Sequence, residues 1–298
     1  IQNNRTIQVN PTLSLVSLYN KFGFIRNMSS EGKNPTAAFF VNLLTSLKNF
    51  SGAYTKTEGT FLPGYLPKTN FIGQSLDSRS PGYDFLFGGQ GDIRGRALAG
   101  GWITRDSLLN QLYINTKKED VSFRSLLEPI KDLRIELTGI KSQSFNYSSN
   151  FKFLPSSNGF ESLSPITTGD FSISYFSMRT AFSKEDKLNN SSRLFRQFQE
   201  NRTIISQRLG AQNPNSAGSA GGYSDGYGKG SQDVLIASFL AAYTGKDASK
   251  VSLGRFPKIP VPNWRLTYNG LTKYSFFNEI FTSVDINHAY RSTYSING

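Results

Sequence analysis

Residues 133–153 read LRIELTGIKSQSFNYSSNFKF, and this stretch decides the fold class. Apolar residues occupy alternate positions from Leu133 to Leu137, with polar residues between them. A period of two predicts a β-strand with one wet face. The same set of alternate positions then holds Lys141 and Gln143, and it is apolar again by Phe153. Because a Lys on the lipid face costs about 2–4 kcal/mol at the bilayer midplane, this strand cannot face lipid along its whole length.

Further alternating segments surround this strand. Residues 121–127 precede it, and the intervening EPIKD at 128–132 predicts the turn of a long hairpin. A phase slip near Asn49 predicts a bulge in an earlier strand. The last strand is predicted to run from Ile280 to Tyr294. About seven strands are expected, several of them longer than the usual five or six residues, and such lengths favour a large barrel. The predicted fold is mainly β, part of a very large antiparallel transmembrane β-barrel with helical and Gly-rich inserts.

Composition excludes several classes of function. The 298 residues include no Cys and one His, His288, so thiolate chemistry and most metal sites are excluded. Gly228-Lys229 lacks the flanking residues of a phosphate-binding loop, and Ala217 breaks the pattern of a nucleophile elbow. The net charge of +12 suits anionic lipid or acidic partners better than nucleic acid. We therefore expect no catalytic residue, no metal, no cofactor and no enzyme activity.

Periodicity is lost in two long inserts. Residues 58–120 are rich in turns, with a short helix predicted at 104–113. Residues 183–262 contain a predicted helix that begins near Ser183, a Gly-rich loop at 210–230 and a second helix from Gln232 to Tyr243. Ser231 is the expected N-cap and Gly245 the left-handed end of that second helix. Barrel strands are predicted in the remaining ranges, 1–57, 121–182 and 263–298.

Ten short blocks of sequence resemble the SprA/Sov family, the outer-membrane translocons of type IX secretion. The blocks lie at 81–88 (PGYDFLFG), 92–94 (DIR), 101–104 (GWIT), 127–137 (LEPIKDLRIEL), 201–209 (NRTIISQRL), 226–228 (GYG), 233–236 (DVLI), 241–245 (AAYTG), 262–271 (PNWRLTYNGL) and 290–295 (YRSTYS). The resemblance extends over nearly the whole chain. It implies that the chain is a C-terminal-side fragment of a very long polypeptide.

The resemblance implies a function and a set of partners. The family conducts folded cargo with C-terminal signal domains from the periplasm to the cell surface, through a giant single-chain barrel in the outer membrane. Its implied partners are a PorV-type outer-membrane barrel protein, a periplasmic plug protein, the secreted cargo, and lipid with lipopolysaccharide. No catalytic residue is known in the family.

Site residues are predicted in the last strand and in the Gly-rich loop. Four residues of one parity are expected to face lipid: Ile280, Val284, Ile286 and Tyr290. Three of the other parity are expected to face the lumen: Asp285, Asn287 and Arg291. Tyr223 and Tyr227 are expected to line the pore or contact a partner. Two alternatives stay open, an outer-membrane porin or receptor-type barrel for small solutes, and a soluble β-rich binding module.

Overall fold

The computed structural model describes residues 1–23, 43, 45–181, 185–186, 191–216, 218–254 and 257–297. The fold is mainly β, with 39% strand and 23% helix. Two compact units are present: residues 1–174 with 262–298 form a sheet unit, and residues 175–261 form a helical unit. The predicted mainly β class with a large antiparallel sheet is confirmed.

Ten strands build the sheet, and every pairing in it is antiparallel. Its strands are β1 (Gln2–Val9), β2 (Thr12–Ser14), β3 (Leu47–Phe61), β4 (Tyr113–Leu127), β5 (Leu133–Leu154), β6 (Gly159–Thr168), β7 (Asp170–Ser174), β12 (Asn263–Tyr268), β13 (Ile286–Tyr290) and β14 (Thr293–Asn297). Two separate pairs of short strands lie outside this sheet: β8 (Glu185–Asp186) with β9 (Ser191–Ser192), and β10 (Ser219–Ala220) with β11 (Tyr223–Ser224). Its main path runs β1-β3-β4-β5-β12-β13. Within the described residues the sheet does not close on itself.

The helices are mostly short. They are α1 (Leu15–Tyr19), α2 (Tyr83–Leu86), α3 (Arg94–Ala99), α4 (Met178–Ala181), α5 (Arg193–Gln212), α6 (Gln232–Thr244) and α7 (Ser275–Asn278), with 3-10 turns at Phe71–Gly73 and Leu271–Lys273. Only α5 and α6 exceed six residues in the described ranges. They pack on each other in the helical unit, and both bury small or apolar side chains, among them Ile205, Val234 and Ala241.

The predicted central hairpin is confirmed and is longer than expected. β4 pairs with β5 in continuous register from Tyr113↔Ser149 to Leu127↔Ile135. The turn at 128–132 is closed by Asp132, which adopts a left-handed φ of 67°. The predicted bulge is also present, because the register of β3 against β4 shifts between Leu47 and Asn49. An extra residue at that point re-phases the alternation along β3.

Two boundaries and one short helix differ from the sequence predictions. β3 and β4 extend into the predicted insert, so the segment between them spans 62–112 rather than 58–120. Its short helices are α2 and α3, and the helix predicted at 104–113 is wrong. Tyr113 is already a strand residue there, paired with Ser149. Residues 24–42, which include part of the predicted second strand, and Ser183 lie outside the described residues.

The predicted single strand from Ile280 to Tyr294 is wrong. Ile280 follows α7 in a turn, and the range contains parts of two separate strands, β13 at Ile286–Tyr290 and β14 from Thr293 onward. The strand then breaks because the Ser292 backbone N–H donates to Asn263 Oδ1 at 2.8 Å. β14 pairs with β7 instead of continuing along β12. The alternation of polar and apolar residues predicted extended backbone here. It could not show that β13 pairs with β12 and β14 with β7.

The second helix matches its prediction closely. α6 begins after Ser231, which has extended backbone angles, and ends at Gly245 with a left-handed φ of 64°. The Lys246 N–H donates to Ala241 O at 3.0 Å, which satisfies a carbonyl at the helix end. Most of its residues are buried, as an apolar helix requires.

Candidate functional site

The segment 62–112 folds onto one face of the sheet, at the end where β3 finishes and β4 begins. Pairing places Asn3, Thr60, Asn115 and Tyr147 side by side on this face, because residues opposite each other in neighbouring strands point to the same side. We call this segment the cap and this end of the sheet the capped end. Its core is a single cluster of buried side chains: Leu62, Phe85, Ile93, Ala97, Trp102, Ile103, Tyr113 and Phe151.

Arg94 joins the cap to the sheet. Its guanidinium carbon lies 4.7 Å from the ring centre of Tyr113, 5.7 Å from that of Tyr147 and 5.6 Å from that of Phe151. Cation–π contact of this kind contributes about 0.5–2 kcal/mol according to how far the charge is desolvated. One charged side chain therefore bridges α3 to three rings of β4 and β5.

Hydrogen bonds fix the guanidinium group of Arg94 in this position. Nε donates to Asp92 Oδ1 at 3.0 Å, Nη2 donates to Asp92 Oδ2 at 2.8 Å, and Nη1 donates to Ser162 Oγ at 3.0 Å. This two-point pairing uses the planar fork of a guanidinium, which a Lys could not reproduce. Hydrogen bonds from Arg94 hold the pKa of the Asp92 carboxyl below its ordinary value, and the same pairing raises the pKa of Arg94.

A second set of hydrogen bonds fastens the cap to β1 and β3. Asn3 Nδ2 donates to the carbonyl oxygens of Phe85 at 2.8 Å and Gly89 at 2.9 Å. Gln90 Nε2 donates to Asn3 Oδ1, and Thr60 Oγ1 donates to Gln90 Oε1, both at 3.0 Å. These hydrogen bonds attach the cap to β1 and β3 at the same time. The cap therefore belongs to the sheet unit.

The character of this face changes along the strands. Next to the cap it carries charged side chains, with Arg5 bonded to Glu58 at 2.6 Å and Lys117 to Glu119 at 3.3 Å. Farther along it becomes aromatic and aliphatic. We call the following set, near the 128–132 turn, the apolar patch: Phe123, Leu127, Leu133, Ile135, Leu137, Trp264, Leu266, Tyr268, Ile286 and Tyr290. Two polar residues, Ser125 and His288, lie among them on the same face.

The opposite face of the same end is polar. We call this set the polar patch: Ser122, Arg124, Arg134, Glu136, Thr138, Asn263, Arg265, Thr267 and Asn287. Arg124 is bonded to Glu136 at 2.5 Å, and Thr267 Oγ1 donates to Asn287 Oδ1 at 3.0 Å. Leu126 and Ala289 also lie on this face. Across four neighbouring strands, therefore, this end of the sheet separates a mainly apolar side from a mainly polar side.

The structure brings together only some of the predicted site residues. Ile286 and Tyr290 lie on one face of β13 and Asn287 on the other, whereas Ile280, Val284, Asp285 and Arg291 lie outside the strand. The Tyr290 ring stacks on Trp264 at 4.4 Å between centres. His288 is exposed, and its Nδ1 accepts a hydrogen bond from Trp264 Nε1 at 3.3 Å.

Tyr223 and Tyr227 lie half-buried in the helical unit. Ser206 of α5 donates to Tyr227 O at 2.6 Å and accepts from the Ser224 N–H at 2.9 Å. Asn213 Nδ2 donates to the Tyr227 hydroxyl at 3.2 Å. The Gly-rich loop is therefore tied to α5 through its backbone and through Tyr227.

The role of Arg94 was missed by reasoning from local sequence. Its partners lie as far away as Ser162, and no spacing rule joins residues so distant along the chain. The signal that was available is the DIR block at 92–94, which holds both Asp92 and Arg94.

Comparison with known proteins gives no match to any family model and none to any curated protein. None of the helices in the described ranges combines the length and the hydropathy that crossing a membrane requires. Within those ranges, no group of three acidic or His side chains is placed to hold a metal ion.

Proposed function

We propose that this chain is part of a protein-conducting channel of the outer membrane that passes folded cargo with C-terminal signal domains from the periplasm to the cell surface. The proposed role is conduction and involves no catalysis. The proposal rests first on the opposed apolar and polar patches. Strands that separate lipid from a water-filled lumen alternate in this way, with aromatic side chains near the membrane surface.

The position of charge along the strands supports the same arrangement. β5 has 22 residues and is about 70 Å long, more than twice the thickness of a bilayer core. Only the end that carries the apolar patch would be embedded. The capped end, with Lys117 and Glu119 on the same face, would then extend into water, which keeps Lys117 away from the bilayer midplane.

The sequence blocks that resemble the type IX translocons support the proposal independently. Three of them, at 81–88, 92–94 and 101–104, lie in the cap and include Phe85, Arg94 and Trp102, which form its core or its anchor. The block at 127–137 covers the first five residues of β5, and the block at 262–271 covers all of β12. These parts of the two strands carry both patches. The proposed partners follow from this resemblance: a PorV-type barrel protein, a periplasmic plug protein, cargo, and lipid with lipopolysaccharide.

Depletion of the protein in its native cells tests the proposal. We expect cargo with C-terminal signal domains to accumulate in the periplasm, while uptake of small solutes stays unchanged. The protein should fractionate with the outer membrane and need detergent for extraction. Lost solute uptake with normal secretion would instead support a porin or receptor-type barrel. Extraction by salt alone would support a soluble binding module.

A further inference from the structure

A cavity of about 520 Å³ lies at the end of the sheet, beside the turn that joins β4 to β5. Its lining comes from three places: the bulge of β3, the turn itself and the end of β12. The residues are Lys48, Glu128, Pro129, Ile130, Lys131, Asp132, Leu133, Arg134, Thr267 and Asn269. The cavity is therefore polar, and three of its lining side chains are cationic.

The charges in this cavity do not cancel. Glu128 lies 3.9 Å from Arg134, and Asp132 is paired with Lys273. Lys48 and Lys131 have no acidic partner within the described ranges, although both line the same space. An anion entering the cavity would meet two uncompensated ammonium groups and a loosely paired guanidinium.

Backbone hydrogen bonds hold this arrangement in place. The Glu128 N–H donates to Ser46 O at 2.8 Å, and the Asn269 N–H donates to Asp132 O at 3.2 Å. Lys48 belongs to the bulge between Leu47 and Asn49, where one extra residue changes the direction of the side chain. The three segments are thus fixed relative to one another, so the cations need little reordering to bind a ligand.

We infer that this cavity binds a phosphate group. A tetrahedral oxyanion accepts several hydrogen bonds at once, and Lys and Arg are the side chains that commonly supply them. Thr267 and Asn269 add neutral hydrogen-bonding groups to the lining. The phosphate can belong to a small solute or to a lipid headgroup, since both present the same chemistry. This inference does not depend on the proposed conduction of cargo.

The test uses the full chain purified in a zwitterionic detergent without phosphate. One variant combines Lys48→Gln, Lys131→Gln and Arg134→Gln. The matched control combines Lys56→Gln, Lys117→Gln and Lys118→Gln, which removes the same charge from Lys residues that are paired with acids elsewhere on the sheet. Inorganic phosphate is titrated at constant ionic strength and followed by calorimetry.

We expect millimolar binding, weakened about ten-fold or more in the first variant and less than about two-fold in the control. No binding to the wild-type chain, or an equal loss in both variants, would overturn the inference. If the first variant fails to fold, the single change Lys131→Gln at the exposed turn carries the test, with an expected loss of about three-fold.

A second titration identifies the source of the phosphate. Short-chain phosphatidylglycerol and phosphatidylcholine are compared with inorganic phosphate, each below its micelle-forming concentration. Tighter binding of phosphatidylglycerol than of the other two supports the inference with a lipid headgroup as the ligand. Equal or tighter binding of inorganic phosphate supports it with a soluble phosphate.

Discussion

Arg94 attaches the cap to the sheet through ring contacts and hydrogen bonds together. It has no neighbour of equivalent role in α3, since Arg96, two residues later, pairs with Asp84 at 3.0 Å and contacts no aromatic ring in the described structure. Substituting Arg96 therefore removes the ion pair with Asp84, whereas substituting Arg94 removes an ion pair together with the ring contacts and the bond to Ser162. An exposed ion pair alone contributes less than about 1 kcal/mol.

We predict that Arg94→Ala destabilises the closed cap by about 2 kcal/mol, because it removes the ring contacts together with the bonds to Asp92 and Ser162. Hydrogen exchange of amides in 62–112 should accelerate about thirty-fold. Arg96→Ala, the matched control, should change exchange less than about three-fold. Equal effects of the two changes would show that Arg94 is an ordinary surface arginine.

Asp92 makes the junction sensitive to acid. Because folding lowers the pKa of this carboxyl, its bond to Arg94 stabilises the cap above the ordinary pKa of 3.8, and the stabilisation is lost as pH falls through the lowered value. The side chain is 55% exposed, so the effect is small, about 0.5 kcal/mol.

Exchange in the cap, corrected for intrinsic rates, should therefore rise about two-fold between pH 5 and pH 3, in the range around this carboxyl's ordinary pKa. Asp92→Asn should show the faster exchange already at pH 5 and little further change. An unaltered pH dependence in that variant would assign the acid response to another group.

At the scale of elements, sequence predicted best where structure is local. The hairpin of β4 and β5 followed from its alternation and turn, and α6 followed from Ser231, Gly245 and the apolar run between them. The break after Tyr290 could not be predicted, because it depends on a bond to Asn263. The attachment of the cap through Arg94 could not be predicted for the same reason.

The two faces of β13 provide a test of orientation in the membrane. Spin labels at Ile286 and Tyr290 should be accessible to oxygen dissolved in lipid, and a label at Asn287 should be accessible to a water-soluble relaxation agent. A label at Arg265 on β12 is the control for the polar patch. The reverse pattern would place the polar patch towards lipid and contradict the proposed orientation.

The Gly-rich loop should depend on Gly210 of α5. A Cβ at this position would lie 2.4 Å from the side chain of Ser224, so the loop would have to move away from the helix. Gly210→Ala should destabilise the contact between the loop and α5 by about 2 kcal/mol. Hydrogen exchange of the amides at 219–228 should then accelerate about thirty-fold.

Gly218→Ala is the matched control for this loop, since a Cβ there meets no atom within 4 Å. Its exchange should match that of the wild type to within about two-fold. If Gly210→Ala also left exchange unchanged, the contact between Ser206, Ser224 and Tyr227 would not hold the loop.

At the scale of the whole molecule, the sheet has two different ends. One end carries an anchored cap over charged side chains, and the other separates an apolar patch from a polar patch. Sequence indicated the large antiparallel sheet and the long inserts. It could not show that the cap and the apolar patch share one face, because that depends on register across several strands.

The measurement that tests conduction most directly is photo-crosslinking of cargo in transit. A photoreactive residue is placed in turn at Asn287 and Arg265 of the polar patch, and at Ile286 and Tyr290 of the apolar patch, in cells that express a cargo too slow to leave the channel. We expect crosslinks to cargo from the polar patch and to lipid from the apolar patch. Cargo crosslinks from neither patch, or equally from both, would contradict conduction of cargo along the polar patch.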